Sequence, residues 1–509
     1  MAFLTAAQRR AGEAFGTLVW SNPFLPERLD AERQALEACG RRSVGDEPVW
    51  SRTVDFAVGR PNIAGLAEAA EALAADFSKR LKAGEPASPA ELDAVANVAH
   101  YALYYRVQGS FLDAAEARPV SFRTLWETFK QGYDTLLAPA GEPITDIPPE
   151  HEFAVGFQMR RAFLRVYNGL YGTGTAAANL RAQVWHSIFT HNRRRYVATL
   201  YNRMRELPTL ILGESGTGKE IVASAVAGSA YRAFNNEKCA FADECQVEAI
   251  HLAALPATLV EAELFGHRRG SFTGATADRP GRLESIGPAG CCFLDEIGDV
   301  DPSVQVKLLR VLQQRTFTRV GEAKQREFQG KLIAATHRDL GEMLEAGTFR
   351  SDLYYRLAAD VVRTPPLRDL IGGDAGELRR LVGLVCRRLL GDEEHAAGLA
   401  DEVLRAVDSP GGVGIGYGWP GNFRELEQCC RSVLVSGAYR PLGGGDAATA
   451  GDLTREIQDL HLTADELTQR YCDIAYRRLG SYEAVGRALS LDRRTVKAKL
   501  ETLQDPSRQ

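Results

Sequence analysis

Apolar residues recur at three- and four-residue spacing through much of residues 1–175, as in Ile63-Ala64-Gly65-Leu66-Ala67-Glu68-Ala69-Ala70-Glu71-Ala72-Leu73 and Phe122-Arg123-Thr124-Leu125-Trp126-Glu127-Thr128-Phe129. That period gives each helix one apolar face to bury and predicts a mostly helical N-terminal region. Gly172-Thr173-Gly174-Thr175 reads as a boundary. Beyond it the pattern changes to short apolar runs of strand length: Thr209–Leu212, Val247–Ile250, Cys292–Leu294 running into Asp295-Glu296, and Lys331–Thr336. Helical spacing returns between them, first at Ile221–Val226. Alternating strands and helices predict a parallel sheet with helices on both faces. Near the end, Tyr482–Leu489 and Arg493–Leu500 are two short apolar-periodic segments joined by Ser490-Leu491-Asp492, the pattern of a helix-turn-helix.

The first apolar run of the α/β region leads into Gly213-Glu214-Ser215-Gly216-Thr217-Gly218-Lys219-Glu220. Strand, glycine loop, lysine and helix in that order make a P-loop. Its glycines let backbone N–H groups turn toward a phosphate, the helix N-terminus adds partial positive charge, and Lys219 supplies a full one. Glu220 stands where a magnesium-ligating Ser or Thr is usual, so the metal needs another holder. The third strand ends in two acids, which reads as a Walker B motif: Asp295 for the magnesium shell, Glu296 to polarise the attacking water. ATP and Mg2+ are the implied ligands.

Composition adds limits. At 509 residues, three or four domains are expected, and a net charge of −5 confines any nucleic-acid contact to local patches. No run is long enough to span a membrane, and no signal peptide is read at the N-terminus. The nine cysteines are scattered, with vicinal pairs at Cys291-Cys292 and Cys429-Cys430, which fits a reducing cytoplasm rather than a disulfide framework. Cys239 and Cys245 lack a second ligand pair at zinc spacing. The arginine- and aromatic-rich stretch Trp185–Arg205 is expected to be a solvated helix face, with DNA contact as the alternative.

Between the second and third strands lies Glu263-Leu264-Phe265-Gly266-His267-Arg268-Arg269-Gly270-Ser271-Phe272-Thr273-Gly274-Ala275. It resembles the GAFTGA loop of bacterial enhancer-binding proteins, the AAA+ ATPases that activate sigma-54 RNA polymerase. The resemblance continues through Asp295-Glu296-Ile297-Gly298, Val306–Gln313, Phe349–Leu357 and Trp419–Leu426, and covers roughly residues 205–435. In that family the P-loop also ends in Lys-Glu. The resemblance implies that Arg350 and Arg356 are arginine fingers reaching a neighbouring subunit's nucleotide, that Arg424 is the sensor II residue of the helical lid, and that Gly270, Ser271, Phe272, Thr273, Gly274 and Ala275 contact sigma-54. A site shared between protomers implies an oligomer, in this family a hexameric ring. Two positions depart from the pattern: His251 replaces the Asn that restrains the catalytic Glu, which places it close to Glu296, and His337 stands at sensor I, where Asn is frequent. Ser271 replaces Ala in the loop. The C-terminal pair of helices resembles the Fis-type DNA-binding domain, with Arg493, Arg494, Thr495, Lys497 and Lys499 offered to DNA.

The expected organisation is a helical regulatory region (1–175), an AAA+ α/β domain (176–365), a helical lid (366–440), a flexible linker (441–462) that includes Gly443-Gly444-Gly445, and a helix-turn-helix (463–509). The expected function is a cytoplasmic sigma-54-dependent activator that binds upstream DNA and remodels the closed promoter complex. Two alternatives stay open: a related ATPase that remodels another partner, and a DNA-binding repressor whose ATPase fold only mediates assembly.

Overall fold

The computed structural model describes residues 2–44, 61–409, 412–414, 416–441 and 463–504. Two compact units are present, residues 1–385 with 421–426, and residues 386–420 with 427–509. The expected glycine-rich linker lies outside the described residues.

The first unit opens with seven helices: α1 (Ala6–Trp20), α2 (Glu27–Ala38), α3 (Pro61–Lys82), α4 (Pro89–Ala115), α5 (Phe122–Leu136), α6 (Pro149–Gly169) and α7 (Thr175–Phe189). Capping boxes start two of them, Thr5 with Gln8 and Ser88 with Glu91, each satisfying two N-terminal donors. The apolar stripes meet in a core rich in phenylalanine, including Phe15, Phe77, Phe111, Phe129 and Phe153.

Five strands follow: β1 (Thr209–Leu212), β2 (Val247–His251), β3 (Cys291–Asp295), β4 (Lys331–Thr336) and β5 (Val361–Arg363). They form one parallel sheet in the order β5-β1-β4-β3-β2. Strand alternation divides the core. Ile211, Phe293 and Ile333 face one layer, while Leu210, Leu294 and Leu332 face the other with Phe265, Val304 and Leu308. The four expected strands are present. β5, three residues long, was too short to declare itself by pattern.

The expected boundary at Gly172–Thr175 is not a break in packing. Val166 of α6 and Val184 and Phe189 of α7 share a core with Ile211 of β1 and with Val222 and Val226. Phe234 and Phe241, on a two-stranded ribbon after the P-loop helix, enter the N-terminal core, with ring centroids 4.5 Å from Phe153 and Phe157 respectively. Composition marks loops by glycine, but only facing apolar surfaces decide whether two regions share an interior.

The Arg193–Arg195 turn is α8. The solvated face expected holds in part: Arg194, paired with Asp93, and Arg195, Arg203 and Arg205 are exposed, whereas Arg193 is buried.

In the second unit, Leu399, Val403 and Val407 are buried on the Glu393–Asp408 helix, and the buried Trp419 ring stacks on Tyr439. The helices Ala464–Leu479, Tyr482–Leu489 and Arg493–Gln504 close over Cys472, Val485, Val496 and Leu500. Among the described residues, no helix is long and apolar enough to cross a membrane.

Candidate nucleotide site

The loop from Gly213 to Gly218 joins β1 to helix α9 (Lys219–Gly228). Gly216 and Gly218 have φ of +79° and +91°, and a Cβ on Gly216 would meet the Gly421 carbonyl oxygen at 2.4 Å. Only glycine suits that backbone, and it leaves the α9 N-terminus open as an anion cradle. Lys219, 7% exposed, donates from Nζ to the carbonyls of Gly213 and Glu214 at 3.0 and 3.1 Å. Burial lowers its pKa, against the opposing pull of Glu296 and Asp295. Carbonyl contacts of this kind exchange readily for phosphate oxygens.

Residues 421–426 close over the loop. Asn422 donates from Nδ2 to Glu214 Oε2 (3.1 Å) and the Ser215 carbonyl (3.0 Å), and its Oδ1 accepts from the Leu367 amide at 2.7 Å. Arg424 donates to Ser215 Oγ at 2.7 Å, so the expected sensor II arginine touches the phosphate loop. Arg368 hydrogen-bonds Glu214 and holds that carboxyl below its ordinary range. Asn422 and Arg368 were not singled out by sequence, because their partner Glu214 lies 208 and 154 residues away.

Both Walker B acids sit at the end of β3, where the sheet edge delivers them to the loop. Asp295 is the last strand residue and 9% exposed. Glu296 leaves the strand in the left-handed region (φ 59°), a costly conformation for a residue with a side chain. The histidines divide differently from expectation. His251 Nδ1 lies 3.0 Å from Asp295 Oδ2, not beside Glu296. Register sets this, since His251 pairs directly with Asp295 across β2 and β3. Glu296 is held instead by His337, whose Nδ1 is 2.7 Å from Oε2 and whose amide donates to the same oxygen at 3.2 Å. Burial would raise the Glu296 pKa, but the His337 hydrogen bonds and Lys219 outweigh it and keep the carboxyl below its usual range. A carboxylate that stays ionised suits water polarisation.

Asp295 offers a buried carboxylate for a cation beside the phosphate loop. Glu296, Asp299 and His337 also bring ligand atoms within 4.8 Å of one another, but Asp299 is already paired with Arg338. Glu220 is exposed and turned to solvent on the first turn of α9. The donor set fits a hard, oxygen-binding cation supplied with a phosphate ligand.

Arg350 stands at the N-cap of the Ser351–Leu357 helix and Arg356 in its last turn, both exposed. Arg350 pairs with Asp352 at 2.7 Å; Arg356 has no ion pair among the described residues. Buried Gln305 positions this segment, accepting from the Arg350 amide (2.9 Å) and donating to the carbonyls of Val300 and Thr348 at 3.0 and 3.2 Å.

The 270–275 loop rises from the paired segments Gly266–His267 and Arg279–Pro280. It is closed by Gly270 N–H to the Ala275 carbonyl at 2.8 Å and Arg269 N–H to Asp278 at 2.8 Å. Thr273 is exposed. Phe272 is half-buried with its ring against His267, centroids 5.0 Å apart. In the last helix Arg494, Thr495 and Lys497 are exposed, Arg493 pairs with Glu483 at 2.9 Å, and Lys499 with Asp465.

The model of the Sigma-54 interaction domain matches residues 190–363. The chain is 44% identical over 232 residues to the Nif-specific regulatory protein of Azotobacter vinelandii, covering 45% of this chain and 40% of that protein. It is 42% identical over 238 residues to the anaerobic nitric oxide reductase transcription regulator NorR of Salmonella paratyphi C, covering 46% and 42%. It is 38% identical over 303 residues to the transcriptional regulatory protein ZraR of Escherichia coli K12, covering 58% and 63%. The matched segment thus spans less than two thirds of each relative's length. Residues 190–363 thus carry the match to the Sigma-54 interaction domain, with the parallel sheet, phosphate loop and paired acids of an AAA+ ATPase module in place.

Proposed function

We propose that this protein hydrolyses ATP as a hexameric ring and uses the cycle to remodel the sigma-54 RNA polymerase closed complex from an upstream DNA site.

 The observation that carries this reading is the presence, on one domain, of buried Lys219, a His337-held Glu296 and the intact Phe272-Thr273 loop. Lys219 and the α9 N-terminus would hold the β- and γ-phosphates of ATP, and Asp295 would hold Mg2+. Magnesium, when bound, neutralises phosphate charge. Glu296 would polarise the attacking water, with His337 fixing the direction of its carboxylate. Arg350 and Arg356, both exposed, would reach a neighbouring protomer's nucleotide as arginine fingers. Arg424, already on Ser215, would report the nucleotide to the lid. Arg493, Arg494, Thr495, Lys497 and Lys499 would bind upstream DNA. With these partners the working protein would sit in the cytoplasm.

Thr273→Ala tests the assignment. Thr273 lies on the loop and not on the phosphate site, so the variant keeps ATP hydrolysis and assembly but loses promoter activation. It also fails to capture sigma-54 in the presence of a phosphoryl transition-state analogue. A wild-type protein that hydrolyses ATP and captures no sigma-54 under those conditions removes the activator reading and leaves an ATPase with another partner.

A further inference from the structure

Beneath α1, α4 and α6 lie two adjoining cavities, of about 100 and 180 Å³, that share Arg28, Tyr104, Tyr105, Met159 and Arg193 as walls. A cavity of about 150 Å³ holds a benzene ring. Arg193 is 7% exposed. Its Nε is buried without a hydrogen-bond partner, and its guanidinium forms no ion pair among the described residues. The neighbouring cation does not share this condition: Arg28 is met by Glu32 at 3.0 Å and by the Leu18 carbonyl at 2.9 Å. Trp20 supplies an aromatic face, with the Arg193 guanidinium 5.5 Å from its ring centroid. On another wall of the smaller cavity, Glu152 meets His100 through Oε1, while its Oε2 is buried and unpartnered.

An uncompensated buried cation is expensive to maintain for packing alone. Burial, with Arg28 close by, lowers the Arg193 pKa to about 10, the direction an arginine takes when it lacks an anion. The unmet groups are complementary to one kind of ligand. We propose that this cavity binds a small organic acid, with its carboxylate on Arg193, a ring-sized apolar body against Trp20, Tyr104 and Tyr105, and a hydroxyl donor directed to Glu152 Oε2.

The walls connect the cavity to the ATPase core. Val197 lines it on the segment that leads to β1, and its carbonyl lies 2.8 Å from His151 Nε2 on α6. Further along α6, Gln158 donates to the Ser229 carbonyl at 2.8 Å, and Arg161 donates to the carbonyls of Gly228 and Ala230 at 3.0 and 2.9 Å. These carbonyls end the helix that begins with Lys219. An occupant of the cavity therefore touches the helix that grips the far end of the phosphate-loop helix. Its effect on turnover rests on the ATPase reading; its binding does not.

The test is calorimetric titration of the full chain with 4-hydroxybenzoate, benzoate and the neutral 4-hydroxybenzyl alcohol. The acids bind and the alcohol binds at least about 10-fold more weakly. Arg193→Met weakens the acids by about 10-fold or more while its apo melting temperature stays at or above that of wild type, because an unpaired cation has been removed. Met159→Trp fills the shared wall and abolishes binding with Arg193 retained. Absence of acid binding to the wild type overturns the proposal, as does acid binding that survives Met159→Trp. Arg193→Met that unfolds marks Arg193 as a structural cation and also overturns it. Acid binding without a change in ATPase rate keeps the site and removes only its link to turnover.

Discussion

The proposed roles of Lys219, at the start of α9, and Glu296, just after β3, separate holding the nucleotide from hydrolysing it. Lys219→Ala removes the cation offered to the phosphates and is expected to abolish ATP binding in a fluorescent-nucleotide assay. Glu296→Gln keeps the shape and the binding but lowers steady-state turnover by about 10²–10⁴-fold. Near-normal turnover in Glu296→Gln removes Glu296 from its assigned role. Glu91 offers a residue-scale test of stability. Its carboxylate accepts from the amides of Leu4 and Ser88, which pull its pKa from 4.5 to about 2. A depressed folded-state pKa contributes stability that is fully present above the unfolded value and lost as pH falls through the folded one. Glu91→Gln is therefore expected to lower the urea midpoint at pH 7, with the gap from wild type closing between about pH 4.5 and 2. A gap that stays constant through that window refutes the linkage. What sequence showed at this scale was local: the glycine loop, the lysine and the paired acids are contiguous. The partners were not legible, because His337 lies 41 residues from Glu296 and Asn422 lies 208 from Glu214. The assignment of His251 to Glu296 failed on register, which no single strand's pattern reveals.

Elements of strong period were legible, and short or cooperative ones were not. The helix containing Ile221–Val226, the four longer strands and both C-terminal helices followed from apolar spacing, whereas β5 and the ribbon carrying Phe234 and Phe241 draw their stability from partners elsewhere in the chain. The last helix shows how element geometry ranks residues that sequence left equal. Val496 and Leu500 turn inward, which leaves Arg494 exposed, while Lys499 is partly covered and paired with Asp465. Phosphate contacts release counterions, so binding to the specific DNA site should weaken steeply with salt. Arg494→Ala is expected to reduce the slope of log affinity against log salt by about 1, and Lys499→Ala by less, measured by fluorescence anisotropy. Equal slopes for both variants and wild type place the DNA contact elsewhere.

At the scale of the whole molecule, the proposed finger, serving a neighbour's nucleotide, would make defects complementable. Arg356→Ala keeps its own phosphate loop, and Lys219→Ala keeps its own finger. Mixing the two inactive proteins should yield ATPase activity above the sum of the separate preparations, since some interfaces then join an intact loop to an intact finger. No such gain, with subunit exchange demonstrated by labelled protein, refutes the shared site. The helical region of residues 1–175 was legible as helical but not as fused to the core, because the shared interior joins Val166 to Ile211 and Val222, a contact that no single segment's period reveals. The fusion has a consequence for how such proteins diversify. Phe234 and Phe241 complete the interior of the helical region, and Gln158 and Arg161 finish the helix that begins at Lys219. A grafted sensor from another regulator would arrive without these counterparts and leave two interiors half built. The helical region and the outer layer of the ATPase must therefore change together, as one inherited piece rather than as interchangeable cassettes.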